Sequence, residues 1–341
     1  MNCLEASKAA RNALENVLEA SKNERILIIC DEQKKEVGNA FATGALTLDL
    51  WTKLVIIQKQ KKPRTEIPKQ LQKVLAQKPD IYINLLQGHR EETPFRIKLI
   101  IMETHNHKSR LGHCPGVTAD MLTRGALALS PEEHKSMQNH AKKLMCALEN
   151  TITVNISNPA GTNLTLCTQN RRFFTDTKLD WKTMKWMNLP TGEVIVAPVE
   201  DSLNGRLVCD MAIGGIGKLR KPVHVKTKKG KVEKVFSEDN ELMQKIKATL
   251  QTDNWANVVG EFAFGINPKA RFVYEFLEAE KILGTIHLAF GANMDMPGGK
   301  NKSKNHMDLL ISEPTVNVTK KNGETATILE KGQFLLPGFN R

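Results

Sequence analysis

Aromatic side chains are scarce: two tyrosines, four tryptophans and twelve phenylalanines in 341 residues. A groove that stacks nucleobases interleaves aromatic rings with its cations. Neither lysine cluster of this chain, at 59–64 and 218–234, contains an aromatic residue. The formal net charge of +12 therefore reads as a lysine-rich solvated surface, and nucleic acid is not the expected partner. Acidic partners or substrates stay open. The six cysteines never form Cys-x-x-Cys, which excludes a zinc ribbon or a redox dithiol and predicts reduced, mostly buried thiols. No run of about 18 apolar residues occurs, so no membrane-spanning helix is expected. The first residues lack the basic start and apolar core of a secretory signal, and a cytoplasmic location is expected. Gly-x-Ser-x-Gly and His-Glu-x-x-His are also missing. Gly214-Gly215-Ile216-Gly217-Lys218 lacks the spacing and the following Ser or Thr of a phosphate-binding P-loop.

What is present alternates helical and strand patterns. Apolar spacing predicts a helix over 2–23, then short apolar strands at 25–30, 53–57, 81–86 and 97–101, with helices over 34–48 and 68–76 between them. Strands separated by helices of this length imply right-handed crossovers and a parallel sheet. His105-Asn106-His107 and His113 follow the fourth of these strands and read as a polar surface loop. Ser130-Pro131-Glu132-Glu133 starts a helix with a good N-cap and a proline at its first position. That helix ends near 150, where the texture changes to short β segments at 151–156, 163–168, 194–197 and 205–211. Residues 223–226 and 231–235 flank Lys228-Lys229-Gly230 as a hairpin. Helices are expected over 237–250 and 268–276, and a strand over 285–290. The predicted architecture is a doubly wound α/β domain over 1–150, followed by a β-rich α+β domain over 151–341 that binds metal.

The chemistry concentrates in the second half. His306-x-Asp308 on a strand places an imidazole and a carboxylate on one face. His287 lies in a second strand pattern, joined to His306 by a glycine-rich polar loop. Glu193 and Glu261 each sit beside a glycine in strand-and-turn sequence, and burying a glutamate beside apolar residues is costly unless it is paired or metal-bound. Two imidazoles and three carboxylates are ligand types suited to divalent Zn, Mn, Fe or Co. Glu280 reads as an exposed residue of the charge run 278–281.

The second half resembles the aminopeptidase T (thermophilic leucyl aminopeptidase) family of metallopeptidases. The matching pieces run in order: Gly161-Thr162-Asn163-Leu164, then Leu189-Pro190-Thr191-Gly192-Glu193-Val194 with Ala197-Pro198, then Gly260-Glu261. His287-Leu288-Ala289-Phe290-Gly291 and His306-Met307-Asp308 complete them. The resemblance implies two divalent ions (Zn, Co or Mn) held by Glu193, Glu261, His287, His306 and Asp308. It also implies a small peptide substrate, water activated by both metals, and a homodimer in which the N-terminal domain helps cover the cleft. Glu261 is the candidate catalytic base. One departure stands out: the family's catalytic tyrosine, seven residues after the histidine, is Met294 here. Gly298-Gly299-Lys300-x-Lys302-x-x-x-His306-x-Asp308 is similar to a stretch of 2,5-dihydroxypyridine dioxygenase. That similarity implies a single Fe(II) and ring cleavage as the alternative reaction. A third possibility is a non-catalytic basic binding protein.

Overall fold

The computed structural model describes residues 3–105, 108–180, 184–336 and 339. The chain divides into two compact units that interleave in sequence. The first comprises Met1–Gln138, Asp176–Thr191 and Lys269–Arg271; the second comprises Asn139–Thr175, Gly192–Pro268 and Phe272–Arg341. The helix Pro131–Ala147 therefore straddles the division. Among the described residues, no helix is long and apolar enough to cross a membrane.

The first unit begins α1 (Cys3–Asn16), β1 (Arg25–Asp31), α2 (Lys35–Leu46), β2 (Trp51–Ile57), α3 (Lys69–Leu75), β3 (Ile81–Leu85), α4 (Thr93–Thr104) and β4 (Arg110–His113). All pairings in its sheet are parallel, in the order β2-β1-β3-β4, with Trp186–Asn188 as the fifth strand. β1 and β3 are buried on both faces, as expected for strands sandwiched between helices. One face packs Leu27, Ile29, Tyr82 and Leu111 against Leu71, Leu75, Phe95 and Leu99.

Two predicted elements differ here, one in type and one in extent. The apolar run at 97–101 is not a strand but the middle of α4. Pro94 lies in its first turn, Phe95, Leu99 and Glu103 line its buried side, and Ile97 and Ile101 face solvent. A short apolar run is ambiguous in period, and the 95/99/103 spacing decides for helix. The strand is supplied instead by Arg110–His113. α1 ends at Asn16 rather than near 23, because the chain turns through left-handed backbone at Glu19 and Asn23. In the loop 105–107, Asn106 and His107 lie outside the described residues, as does Asn2. His113 is buried at the end of β4, edge-on to Trp186.

The second unit holds two antiparallel sheets. The eight-stranded sheet includes Thr151–Ser157, Asn163–Cys167, Asn204–Cys209, Thr315–Lys320 and the hairpin Val223–Lys228/Lys231–Phe236. The seven-stranded sheet has Glu193–Val196, Val259–Gly265, Ile286–Gly291 and His306–Ile311 as consecutive neighbours. The Ser130 cap works as the sequence implies: its hydroxyl accepts from Glu133 N–H, and its own N–H donates to the Glu133 carboxylate. Residues 268–275 form no helix; a single helical turn, Phe276–Ala279, follows.

Candidate metal centre

The three central strands of the seven-stranded sheet alternate two kinds of side chain. Phe262 and Phe264, Leu288 and Phe290, and Met307 and Leu309 are buried on one face, where the Phe262 and Phe264 rings meet edge-on at 4.9 Å. The other face carries Glu261 and Ala263, His287 and Ala289, and His306 and Asp308. Cross-strand register completes the arrangement: Glu261 pairs with Ala289, which pairs with Asp308; Ala263 pairs with His287; Gly265 pairs with Glu193; and Gly291 pairs with His306. Alanine or glycine thus stands next to each ligand-type residue. These small positions leave room for the polar side chains to converge.

Two glycines make local exceptions possible. Gly192, just before Glu193, has φ +135, and a Cβ there would lie 2.5 Å from Asn267 Cβ. Gly260 is the extra residue of a bulge in the pairing of Val259–Gly265 with Ile286–Gly291, and a Cβ there would lie 2.6 Å from Gly291 O. Such a bulge re-aims the side chain that follows it, here Glu261. Buried asparagines hold this corner. Asn293 Nδ2 donates to Gly260 O at 3.0 Å, and Asn301 Nδ2 donates to Val259 O at 2.8 Å and Gly291 O at 3.0 Å. The polar loop before His306 is therefore a scaffold that satisfies main-chain carbonyls.

All five sequence-predicted residues come together. His287 Nε2 lies 3.1 Å from Glu261 Oε1 and 3.5 Å from Glu193 Oε1. His306 Nε2 lies 3.2 Å from Glu261 Oε2 and 3.1 Å from Asp308 Oδ1. Glu261 is shared, with one oxygen toward each imidazole. Two overlapping groups, Glu193/Glu261/His287 and Glu261/His306/Asp308, each bring their donor atoms within 4.8 Å of one another. Glu193, Glu261 and His287 are buried, whereas the His306 side chain is 35% exposed. The cluster has a closed end and an open one.

Glu280 and Lys281 were missed. Glu280 is buried rather than exposed, and it forms a third group with His287 and Asp308. Lys281 is buried too; its Nζ is ion-paired with Glu193 Oε2 and lies 3.0 Å from Glu280 Oε1. The available signal was a charged pair running straight into Ile282-Leu283-Gly284-Thr285 and the strand, with no polar loop between.

Charge and tautomer bear on the fit of a cation. Burial pushes the Glu261 carboxyl up, but hydrogen bonds from His287 and His306 outweigh it and hold the group well below its usual range. Burial drives Glu280 up to about 8, against the pull of Lys281 and with the help of Glu193 and Asp308. Desolvation would lower His306, yet Asp308 and Glu261 raise it well above its ordinary value. His306 Nδ1 donates to Ala292 O at 2.8 Å, so Nε2 can face two carboxylate oxygens only with a proton or a cation between them. A carbonyl orienting the far nitrogen is the usual support of a metal-ligating histidine. The residues present therefore fit divalent ions.

The Gly214–Lys218 segment is the turn between the short strands Ala212–Ile213 and Gly217–Lys218, and Gly214 N–H donates to Asp308 O at 2.9 Å. It steadies Asp308.

A buried carboxylate–imidazole cluster with an open rim is the hallmark of a metal-dependent enzyme. Residues 130–334 match the thermophilic metalloprotease (M29) family, and the chain belongs to that family. No curated protein sequence matches it. Among solved structures it is similar to wild-type AmpT from Thermus thermophilus, at 15% identity and TM-score 0.70, covering 98% of this chain and 99% of that one. It is also similar to 2,5-dihydroxypyridine dioxygenase from Pseudomonas putida KT2440, at 14% identity and TM-score 0.68, covering all of both chains. Likeness at such identities establishes a shared fold.

Proposed function

We propose that the protein is a metal-dependent aminopeptidase that removes N-terminal residues from small peptides at the Glu193–Glu261–His287–His306–Asp308 cluster. The observation that carries this reading is Glu261, with one carboxylate oxygen turned to each histidine, as a ligand shared by two ions requires. Glu193 and His287 would hold one ion and His306 and Asp308 the other, as Zn, Co or Mn. Two bound ions would activate water and polarise the scissile carbonyl.

The chain's own groups do the rest. Lys281 fixes one oxygen of Glu193 and leaves the other directed to His287. Ala292 O sets the His306 tautomer. Phe262, Leu288 and Phe290 keep water from the back of the sheet. The exposed His306 edge is where a peptide enters. Glu261, with both oxygens engaged and its proton affinity depressed, is better supported as the bridging ligand than as the base that takes the water's proton. The resemblance also suggests a homodimer.

Met294 favours one competing reading. It stands where the family tyrosine is expected and is 61% exposed, so it offers no proton and no phenolic donor. A single Fe(II) on His287, His306 and Asp308 would suit ring-cleaving oxygenation. Elemental analysis together with peptide assays separates the two. Two ions per chain with release of free amino acids from unblocked but not N-acetylated peptides is expected. One iron with oxygen uptake on dihydroxypyridines, and no peptide cleavage, would replace the proposal.

A further inference from the structure

The lysine cluster at 59–64 plays no part in the metal centre. It lies in the first unit, at the carboxyl ends of the parallel strands. The chain goes from β1 to β2 on one side and then crosses over to β3 on the other. The strand order therefore reverses between β1 and β3, and in open α/β sheets the crevice outside such a reversal is where ligands bind. A pocket of about 200 Å³ occupies this place, lined by Asp31 at the end of β1, Gln87 just after β3, and the segment Lys59–Arg64 after β2.

The floor of the pocket is internally neutralised. Arg64, almost fully buried, lies 2.8 Å from Asp31 and 3.4 Å from Glu92. The nearby Arg96 feels both carboxylates, so two guanidinium groups answer two acids. Asp31 Oδ2 is further held by Gln87 N–H at 2.6 Å. The rim is not balanced. Lys59, Lys61 and Lys62 line it against Glu91, and the Glu32 carboxylate accepts from Lys59 N–H at 3.4 Å. Among the described residues, none of these three ammonium groups is ion-paired. A crevice whose floor acids face guanidinium groups, with surplus ammonium groups at its mouth, attracts a compact anion.

We propose that this crevice is a second binding site, separate from the metal centre, for a small phosphorylated metabolite. Its phosphate is held by Lys59, Lys61 and Lys62, and its hydroxyl-bearing body lies toward Asp31 and Gln87. Phosphate suits the rim because a dianion answers several point-charge ammonium groups at once. The volume suits a phosphomonoester of sugar size and is too small for a dinucleotide.

The test is calorimetric titration of the full-length protein with ribose 5-phosphate, inorganic phosphate and ribose, repeated on Lys61→Glu/Lys62→Glu. Both positions are exposed, so the variant should melt as the parent does; Lys59→Gln provides a milder second probe. Saturable one-to-one binding of ribose 5-phosphate is expected, weaker binding of phosphate, none of ribose, and at least a tenfold loss in the double variant. No saturable binding of either phosphate compound would overturn the proposal, as would binding that the variants leave unchanged. Binding of long RNA without binding of ribose 5-phosphate would overturn it equally.

Discussion

β1 presents Ile26 and Ile28 to one side of the parallel sheet and Leu27 and Ile29 to the other. The strand Val259–Gly265 presents Phe262 and Phe264 to one side, and Glu261 and Ala263 to the other. Both strands are buried throughout apart from Arg25, so burial does not distinguish the scaffold from the site. The histidines draw the same contrast. His113 and His134, in the first unit, are buried without a nearby carboxylate strong enough to compensate, and desolvation lowers them to about 3 and about 4. His287, equally buried, faces Glu261 and is raised instead. A buried histidine of the first unit is tolerated by staying neutral; His287 in the second is held by opposite charge, which is the condition for gathering a cation.

The sharpest way to break this contrast is Glu261→Gln, which keeps shape and removes the shared charge. Peptidase activity should fall by more than about 100-fold, beyond what loss of an outer partner of a metal ligand costs, and metal content measured by elemental analysis should drop with it. Full metal and full activity in this variant would remove Glu261 from the centre of the site. On the opposite face of the same strand, Phe262→Ala should cost about 4 kcal/mol in urea unfolding through the cavity it leaves, with any surviving folded protein still binding metal.

His134 tests the first unit. Its folded proton affinity is depressed, so its contribution to stability is present above the ordinary value of 6.5 and is lost as pH falls from there to about 4. The loss should approach about 3 kcal/mol, and denaturant unfolding of His134→Leu should show a correspondingly flatter decline over that window. A smaller effect is expected from Lys281→Met, which frees Glu193 from its orienting partner. A loss of about 10- to 100-fold in metal affinity, measured by chelator competition, with the fold retained, would mark Lys281 as a positioning residue. An unchanged affinity would make it purely structural.

Much of this was legible in the chain. The runs Gly-Glu-Phe-Ala-Phe-Gly from Gly260 and His-Leu-Ala-Phe-Gly from His287 carry the alternation of large apolar with small or polar residues that a two-faced strand demands. The 97–101 run misled because four apolar residues around Lys98 suit either period; the packing of Phe95 and Leu99 on the sheet goes with the helix. Glu280 and Lys281 misled because charged residues in sequence read as surface, and the sequence does not show that Lys281 pairs with both Glu280 and Glu193 inside the protein.

By itself the sequence determined the local quantities: which segments alternate with period two, which positions are small, and which side chains could bind a cation. Those depend on covalent order and side-chain chemistry alone. Tertiary structure decided that Glu261, Ala289 and Asp308 stand in one row, that the Gly260 bulge aims Glu261 between two histidines, and that Lys281 is buried against Glu193. Pairing between strands distant in sequence is set by the sum of burial and hydrogen bonding over whole sheets, and a shift of one residue would turn every ligand to the aromatic face.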